Sequence, residues 1–164
     1  MELPVLGRLK KELADLKHEL TFRLPKELET AREHGDLSEN AEWEAAKARQ
    51  DFVRSRIAQL EGRIRELSMY NIASIPYDVV AYGSRVTVED VDAGEPTVYE
   101  IVFPEEVDAG KGQISLSSPL GRALMNKALG DEVEVQTPRG KRSFQIVELV
   151  TMHDRQAARR TDER

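Results

Sequence analysis

The chain has 164 residues, of which 33% are charged and 5% aromatic, with a formal net charge of −6 and no cysteine. That allows one ordinary domain or two small ones and favours long solvated helices over a single large core. It excludes disulfides, thiolate metal sites and nucleic-acid binding through overall positive charge, so any such contact would need a local patch. The opening "MELPVLGRLKKEL" lacks the charged-then-apolar pattern of a secretion signal, and no apolar run approaches the ~20 residues of a membrane span. A soluble, cytoplasmic protein with no membrane partner is expected.

Residues 1–70 read as two helices. Leu9, Leu13, Leu16 and Leu20 step by four, three and four along one helical face. Leu24, Leu28 and Ala31 continue that face with a stutter, and Pro25 within it predicts a kink or local break. In the second helix Val53, Ile57, Leu60, Ile64 and Leu67 form an a/d seam among charged neighbours. Two such helices joined by a short turn run antiparallel, giving an arm about 40 to 45 Å long at ~1.5 Å per residue. Residues 71–78, with Pro76, read as a linker.

From residue 79 to 152 the apolar period changes to two. Val86 and Val88, "TVYEIVF", "QIS", "DEVEVQT" and "RSFQIVEL" are strand-like, separated by the turn signals "DAGE", "DAGKG" and "PRGK". "LGRALMNKAL" (residues 120–129) reads as one short helix stopped by Gly130. The expected fold class is α+β in two domains, a coiled-coil hairpin followed by a small antiparallel-sheet domain. Residues 153–164 are polar and mixed in charge, and are expected to be a disordered tail.

The turn of the hairpin, "AREHGDLSENAEWEAAK" (residues 31–47), is unusually acidic: it holds Asp36, Glu39, Glu42 and Glu44, bracketed by Arg32 and Lys47. One reading is a capping box, with Asp36 capping the second helix and Glu39 reaching back to it. The other is a half-site for a divalent ion, Mg²⁺ above all, that binds weakly until another molecule supplies the remaining ligands. Arg32, Lys47 and Arg49 could then hold a phosphate backbone, or they are a solvated helix face with weak ion pairs. Spacing alone favours the structural reading in each case, a cap for the acids and a solvated face for the bases. His34 beside the turn reads as a dipole partner at a helix end.

The same turn resembles the signature of the GreA/GreB family of bacterial transcript-cleavage factors, GreA type. "ISLSSPLGRALMNKALGDEVEV" (residues 114–135), followed by "TPRGKRSFQIVEL", is similar to the family's second signature. Trp43 departs from the family's usual tyrosine, Pro25 falls about three residues later than its usual "RPE", and "MELPVLGRL" barely resembles its usual first turn.

The resemblance implies an FKBP-like second domain that binds bacterial RNA polymerase at the rim of its secondary channel. It implies that the arm enters the channel and stimulates hydrolytic cleavage of the nascent RNA 3′ end in backtracked complexes. Asp36 and Glu39 would hold an Mg²⁺ shared with the polymerase, with none bound tightly alone. The protein would then be a monomeric cofactor rather than a nuclease. The family's docking loop corresponds to Ser118, Pro119 and Leu120; alternatively Pro119 merely breaks a strand and Leu120 starts a helix into the core. Two further readings stand beside this one. The first is a regulator that uses the same channel without stimulating cleavage. The second is a scaffold or chaperone-like hairpin with a peptide-binding sheet.

Overall fold

A computed structural model describes residues 2–35 and 40–163. The chain divides into two units, Met1–Ile72 and Ala73–Arg164.

The first unit is a helical hairpin. Helix α1 (Pro4–His18) begins with a proline, whose missing N–H has no intrahelical partner to lose at that position. A widened π-helical turn (Glu19–Arg23) leads into α2 (Leu24–Glu33), and α3 (Ala41–Ser68) returns alongside. The antiparallel sense is fixed by cross-pairs: Arg56 to Glu12 at 2.8 and 3.2 Å, Arg49 to Glu19 at 2.7 and 3.0 Å, and the Asn40 side-chain amide to the Ala31 carbonyl. Leu9, Leu24, Ala31, Ala46, Val53, Leu60 and Leu67 are buried along the seam. Leu13, Leu16, Leu20, Leu28, Ile57 and Ile64 are only half-buried, as two helices without a third layer dictate.

The stutter in the leucine ladder and the widened turn are one feature. Continued alternation of four and three after Leu20 would place the next apolar residues at positions 23, 27 and 30; Leu24, Leu28 and Ala31 each come one residue late. A π turn takes in one extra residue. Here the Leu24 N–H reaches back five residues to the Glu19 carbonyl, which returns Leu24 to the seam, fully buried. Pro25 follows at once. It has no N–H to give and would crowd the carbonyl four residues back in a regular helix. The break expected at Pro25 therefore takes the form of a widened turn, and the helix continues beyond it.

Glu19, in that turn, is buried and takes two hydrogen bonds from Arg49 and one from Arg23. The Arg49 hydrogen bonds hold its carboxyl below the ordinary value of 4.5 despite the cost of burial, with the charges of Arg49 and Arg23 adding to the effect. A depressed folded-state pKa stabilises the fold fully above the unfolded value, and that contribution is lost as pH falls through the folded value. Wild type should therefore melt above Glu19→Gln near neutrality, and the gap should close as pH drops below the ordinary glutamate value. Thermal midpoints of both proteins from about pH 7 to about pH 3 check this; a gap independent of pH would rule the ion pair out as its cause.

The second unit is built on a five-stranded sheet in the order β3-β2-β1-β5-β4. Its strands are β1 (Arg85–Asp90), β2 (Pro96–Val102), β3 (Gln113–Ser115), β4 (Glu132–Thr137) and β5 (Gly140–Val150). Neighbours are antiparallel except β2 and β3, which run parallel with Ile101 opposite Ile114. The register of β1 on β5 shifts between Thr87 and Val88, the mark of a bulge. One face of the sheet carries Val86, Val88, Ile101, Val133 and Ile146, which pack with Val80 and with Leu124 of helix α4 (Pro119–Leu124).

Two expectations need correction here. The helix foreseen over residues 120–129 ends at Leu124, because Asn126 turns left-handed (φ 64°) and residues 126–127 instead exchange backbone hydrogen bonds with Val80, at 2.9 and 2.8 Å. The tail expected to be disordered forms α5 (Met152–Asp162). Thr151 and Asp154 make a capping box at its start, and Arg159 and Arg160 complement the dipole at its end. His153 and Arg155 tie it down through the carbonyls of Ile75 and Gly83, at 2.7 and 2.8 Å. Part of the segment read as a linker is also built in: Ile72–Ser74 is a tight 3₁₀ turn, and Ile72 and Ile75 are buried. Among the described residues no helix is long and apolar enough to cross a membrane.

Candidate functional site

The acidic turn lies between α2 and α3. Asp36 and Glu39 themselves fall outside the described residues. Both ends of the turn are defined. At the α2 end, the His34 N–H closes on the Ala31 carbonyl at 3.2 Å, and Gly35 follows with φ 130°, a conformation that side chains disfavour. At the α3 end Asn40 is the cap: its Oδ1 accepts from the backbone N–H groups of Glu42 and Trp43 at 3.0 and 3.1 Å. Its Nδ2 donates to the Ala31 carbonyl, nine residues back. His34 Nδ1 lies 2.9 Å from Glu42 Oε2 on the exposed surface, a second link between the two ends.

This arrangement corrects the capping-box reading. α3 starts at Ala41 with Asn40 as its cap, so Asp36 does not stand at the position that precedes the helix. Glu42 and Glu44 stand exposed in its first turn, where their charge complements the helix dipole. Nothing in sequence spacing singled out Asn40; the one available signal was its position just before the helical run.

The three basic candidates are placed differently. Arg32 is exposed in the last turn of α2. Lys47 is exposed on α3, its ammonium 5.8 Å from the centre of the half-buried Trp43 ring, within cation–π range. Arg49 is committed to Glu19 across the hairpin, and its guanidinium lies 5.1 Å from the Phe52 ring centre. A structural role thus occupies Arg49, while Arg32 and Lys47 present charge beside the turn. Among the described residues no group of three or more acidic, histidine or cysteine side chains is placed to hold a metal ion.

The candidate docking residues lie where β3 passes into α4. Ser118 caps α4: its hydroxyl accepts from the Gly121 N–H at 3.1 Å and donates to the Ser115 carbonyl at 2.7 Å. Pro119 is exposed at the first helical position, and Leu120 is half-buried against the sheet core. Arg122 returns to the Ser117 carbonyl at 2.7 Å. Of the three, only Pro119 is wholly available at the surface. Sequence reasoning missed Gly121, which is buried with the Ser115 carbonyl oxygen only 2.0 Å from where a Cβ would stand.

Comparison with known proteins covers both units. The family model described as "Transcription elongation factor, N-terminal" matches residues 5–68, and "Transcription elongation factor, GreA/GreB, C-term" matches residues 75–150. Transcription elongation factor GreA of Magnetococcus marinus is 42% identical over 149 residues, covering 91% of this chain and 95% of its own. GreA of Azorhizobium caulinodans is 45% identical over 141 residues, covering 82% and 90%. Among solved structures, the GreA factor homolog Gfh1 of Thermus thermophilus is 30% identical and covers 88% of this chain and 94% of its own, with a TM-score of 0.41. Matched in both units and about two-fifths identical to curated factors across nearly their whole length, the chain belongs to the GreA/GreB family of transcription elongation factors and is of the GreA type.

Proposed function

We propose that this elongation factor works on RNA polymerase as a catalytic cofactor rather than as a nuclease in its own right. Its sheet unit docks at the rim of the polymerase secondary channel, through the surface around Pro119. Its hairpin enters the channel and brings Asp36 and Glu39 to the active centre, where the 3′ end of a backtracked RNA is stranded. The observation that carries this reading is the match of both units to the GreA/GreB family, with the acidic turn standing between α2 and an α3 that Asn40 caps. The 28 residues of α3 span about 42 Å, a rod long and narrow enough to reach a deep site.

The donor set suits the chemistry. Two carboxylates offer hard oxygens of the kind Mg²⁺ prefers, and one or two protein ligands suffice for that ion when a partner supplies the others. An Mg²⁺ shared with the polymerase would supply water activation for phosphodiester hydrolysis. Asp36 and Glu39 hold and orient that half of the site, while Arg32 and Lys47 steady the RNA backbone by charge.

The test uses a polymerase stalled on a backtracked, end-labelled transcript at limiting Mg²⁺. Adding the protein should accelerate RNA cleavage and lower the Mg²⁺ concentration that cleavage needs; the protein without polymerase should cut nothing. Tight binding to polymerase with no acceleration would make it a channel regulator instead.

A further inference from the structure

We infer that Trp43 is a stacking platform for a base of the extruded RNA, with Lys47 and Arg32 at the phosphates beside it, an inference that rests on the polymerase reading above. Towards the turn, the seam of the hairpin is filled by Ala31 and Ala46, and the charged side chains are sorted to its two sides. At about 100° per residue, Glu27 and Thr30 fall to one side of Ala31, and Glu42, Ala45 and Arg49 fall to one side of Ala46. They line a common cleft, so these two sides face each other. The acids there are engaged: Glu42 with His34 at 2.9 Å, Glu27 with Arg23 at 3.4 Å, and Glu19 with both Arg49 and Arg23. Arg32, Trp43 and Lys47 fall to the opposite side of the seam, with Trp43 and Lys47 one turn apart on α3. Glu29, Glu33 and Glu44 are exposed on the outer faces of their helices, turned away from the seam.

What remains on that side is a large ring and two cations. The Lys47 ammonium lies 5.8 Å from the centre of the Trp43 ring, and among the described residues neither Lys47 nor Arg32 pairs with a carboxylate. Shielding the two alanines of the seam takes apolar area, which leucine also supplies. What indole adds is a flat π face next to positive charge. Single-stranded nucleic acid is gripped by that combination: bases stack on aromatic rings while cations follow the backbone. Every base has a π face, so such a grip is indifferent to sequence. A factor that acts on whatever transcript has stalled needs that indifference. The other occupant such a flank could meet is a protein wall of the polymerase, but two cations without acid partners suit a phosphate chain better.

The experiment places 2-aminopurine, a fluorescent base that dims when it stacks, at successive positions of the extruded RNA in backtracked polymerase complexes. Mg²⁺ is withheld so that no RNA is cut. Full-length wild type, Trp43→Phe and Trp43→Leu are compared in thermal midpoint, in emission at saturating protein, and in affinity for complexes with and without extruded RNA. Wild type should dim the base at one position or two, and Trp43→Leu, folded and bound, should leave it bright. Trp43→Leu should bind the backtracked complex about tenfold or more weakly, bind the complex without extruded RNA as wild type does, and be largely rescued by Trp43→Phe. A ring that only covered the hairpin would let Trp43→Leu bind both complexes like wild type. A ring against the polymerase would weaken both complexes equally. Either result overturns the inference. Unchanged emission at every position with bound wild type overturns it too, whether or not the leucine variant folds. Restoring Mg²⁺ separates the two readings: dimming without accelerated cleavage sinks the cofactor reading and leaves the stacking role, whereas cleavage without dimming does the reverse. Failure of wild type to bind the polymerase overturns both.

Discussion

Gly121→Ala is expected to destabilise the sheet unit by about 3 kcal/mol or more, although alanine ordinarily improves a helix by roughly 0.5–1 kcal/mol over glycine. The added Cβ would stand 2.0 Å from the Ser115 carbonyl oxygen and 3.0 Å from the Leu116 Cα, both backbone atoms. Neither can step aside cheaply. The Ser115 carbonyl receives the Ser118 N–H at 3.0 Å and the Ser118 hydroxyl at 2.7 Å, and Leu116 donates to the Val102 carbonyl at 2.9 Å. Relieving the clash means lifting α4 off β3, which pulls Leu124 out of the core and breaks the cap at Ser118. Backbone strain at the glycine is not the cause, since Gly121 has no positive φ; the cause is a close approach of two chain segments. Urea unfolding followed by a probe in the sheet unit measures the effect, with polymerase affinity measured in parallel. A change within about 0.5 kcal/mol would mean that the two segments do not approach this closely in solution.

Asp36→Asn and Glu39→Gln are expected to lower cleavage stimulation by about a hundredfold each, the scale on which single preorganised charge-stabilising groups act. Melting and polymerase binding should stay as in wild type. Each change removes charge and keeps shape. Asn40 is the cap of α3. Even a capping role would survive, since asparagine caps as well as aspartate and glutamine completes a capping box as well as glutamate. Full cleavage by both variants would remove the carboxylates from the chemistry. Melting of the hairpin in both would return them to a structural role.

Much of this architecture could be read from periodicity. Val86 and Val88 in β1, Val133 and Val135 in β4, and the seam from Val53 to Leu67 follow from alternation and from 3.6-residue spacing alone. The late step at Leu24 announced the π turn, because one surplus residue must be absorbed somewhere if the leucines are to stay on one face. What stayed hidden depended on contacts distant in sequence. The parallel pairing of β2 with β3 leaves no mark on either strand. The stop of α4 at Leu124 comes from Asn126 pairing with Val80, residues far apart in the chain. Gly121 looked like any tolerated helical glycine, since a close approach is invisible without the partner. At the turn, Asp36 and Asn40 were both chemically able to cap, and local propensity does not choose between them. The α5 start was legible in "TMHD", a Thr-x-x-Asp capping box, and was passed over because the segment after it is so polar.

The central place of β1 in the sheet governs the order of events during synthesis. The helices of the hairpin can pair with one another once residue 68 has left the ribosome, whereas β1 must wait for β5: Thr87 bonds to Glu148, 61 residues later. At ~5–20 residues per second that is roughly 3–12 s in which β1 has β2 on one side and nothing on the other. An unsatisfied strand edge bearing Val86 and Val88 is an invitation to pair with another nascent chain. Slow codons placed between these two strands would lengthen that exposure and lower soluble yield, whereas the same codons placed within the hairpin would do no such harm.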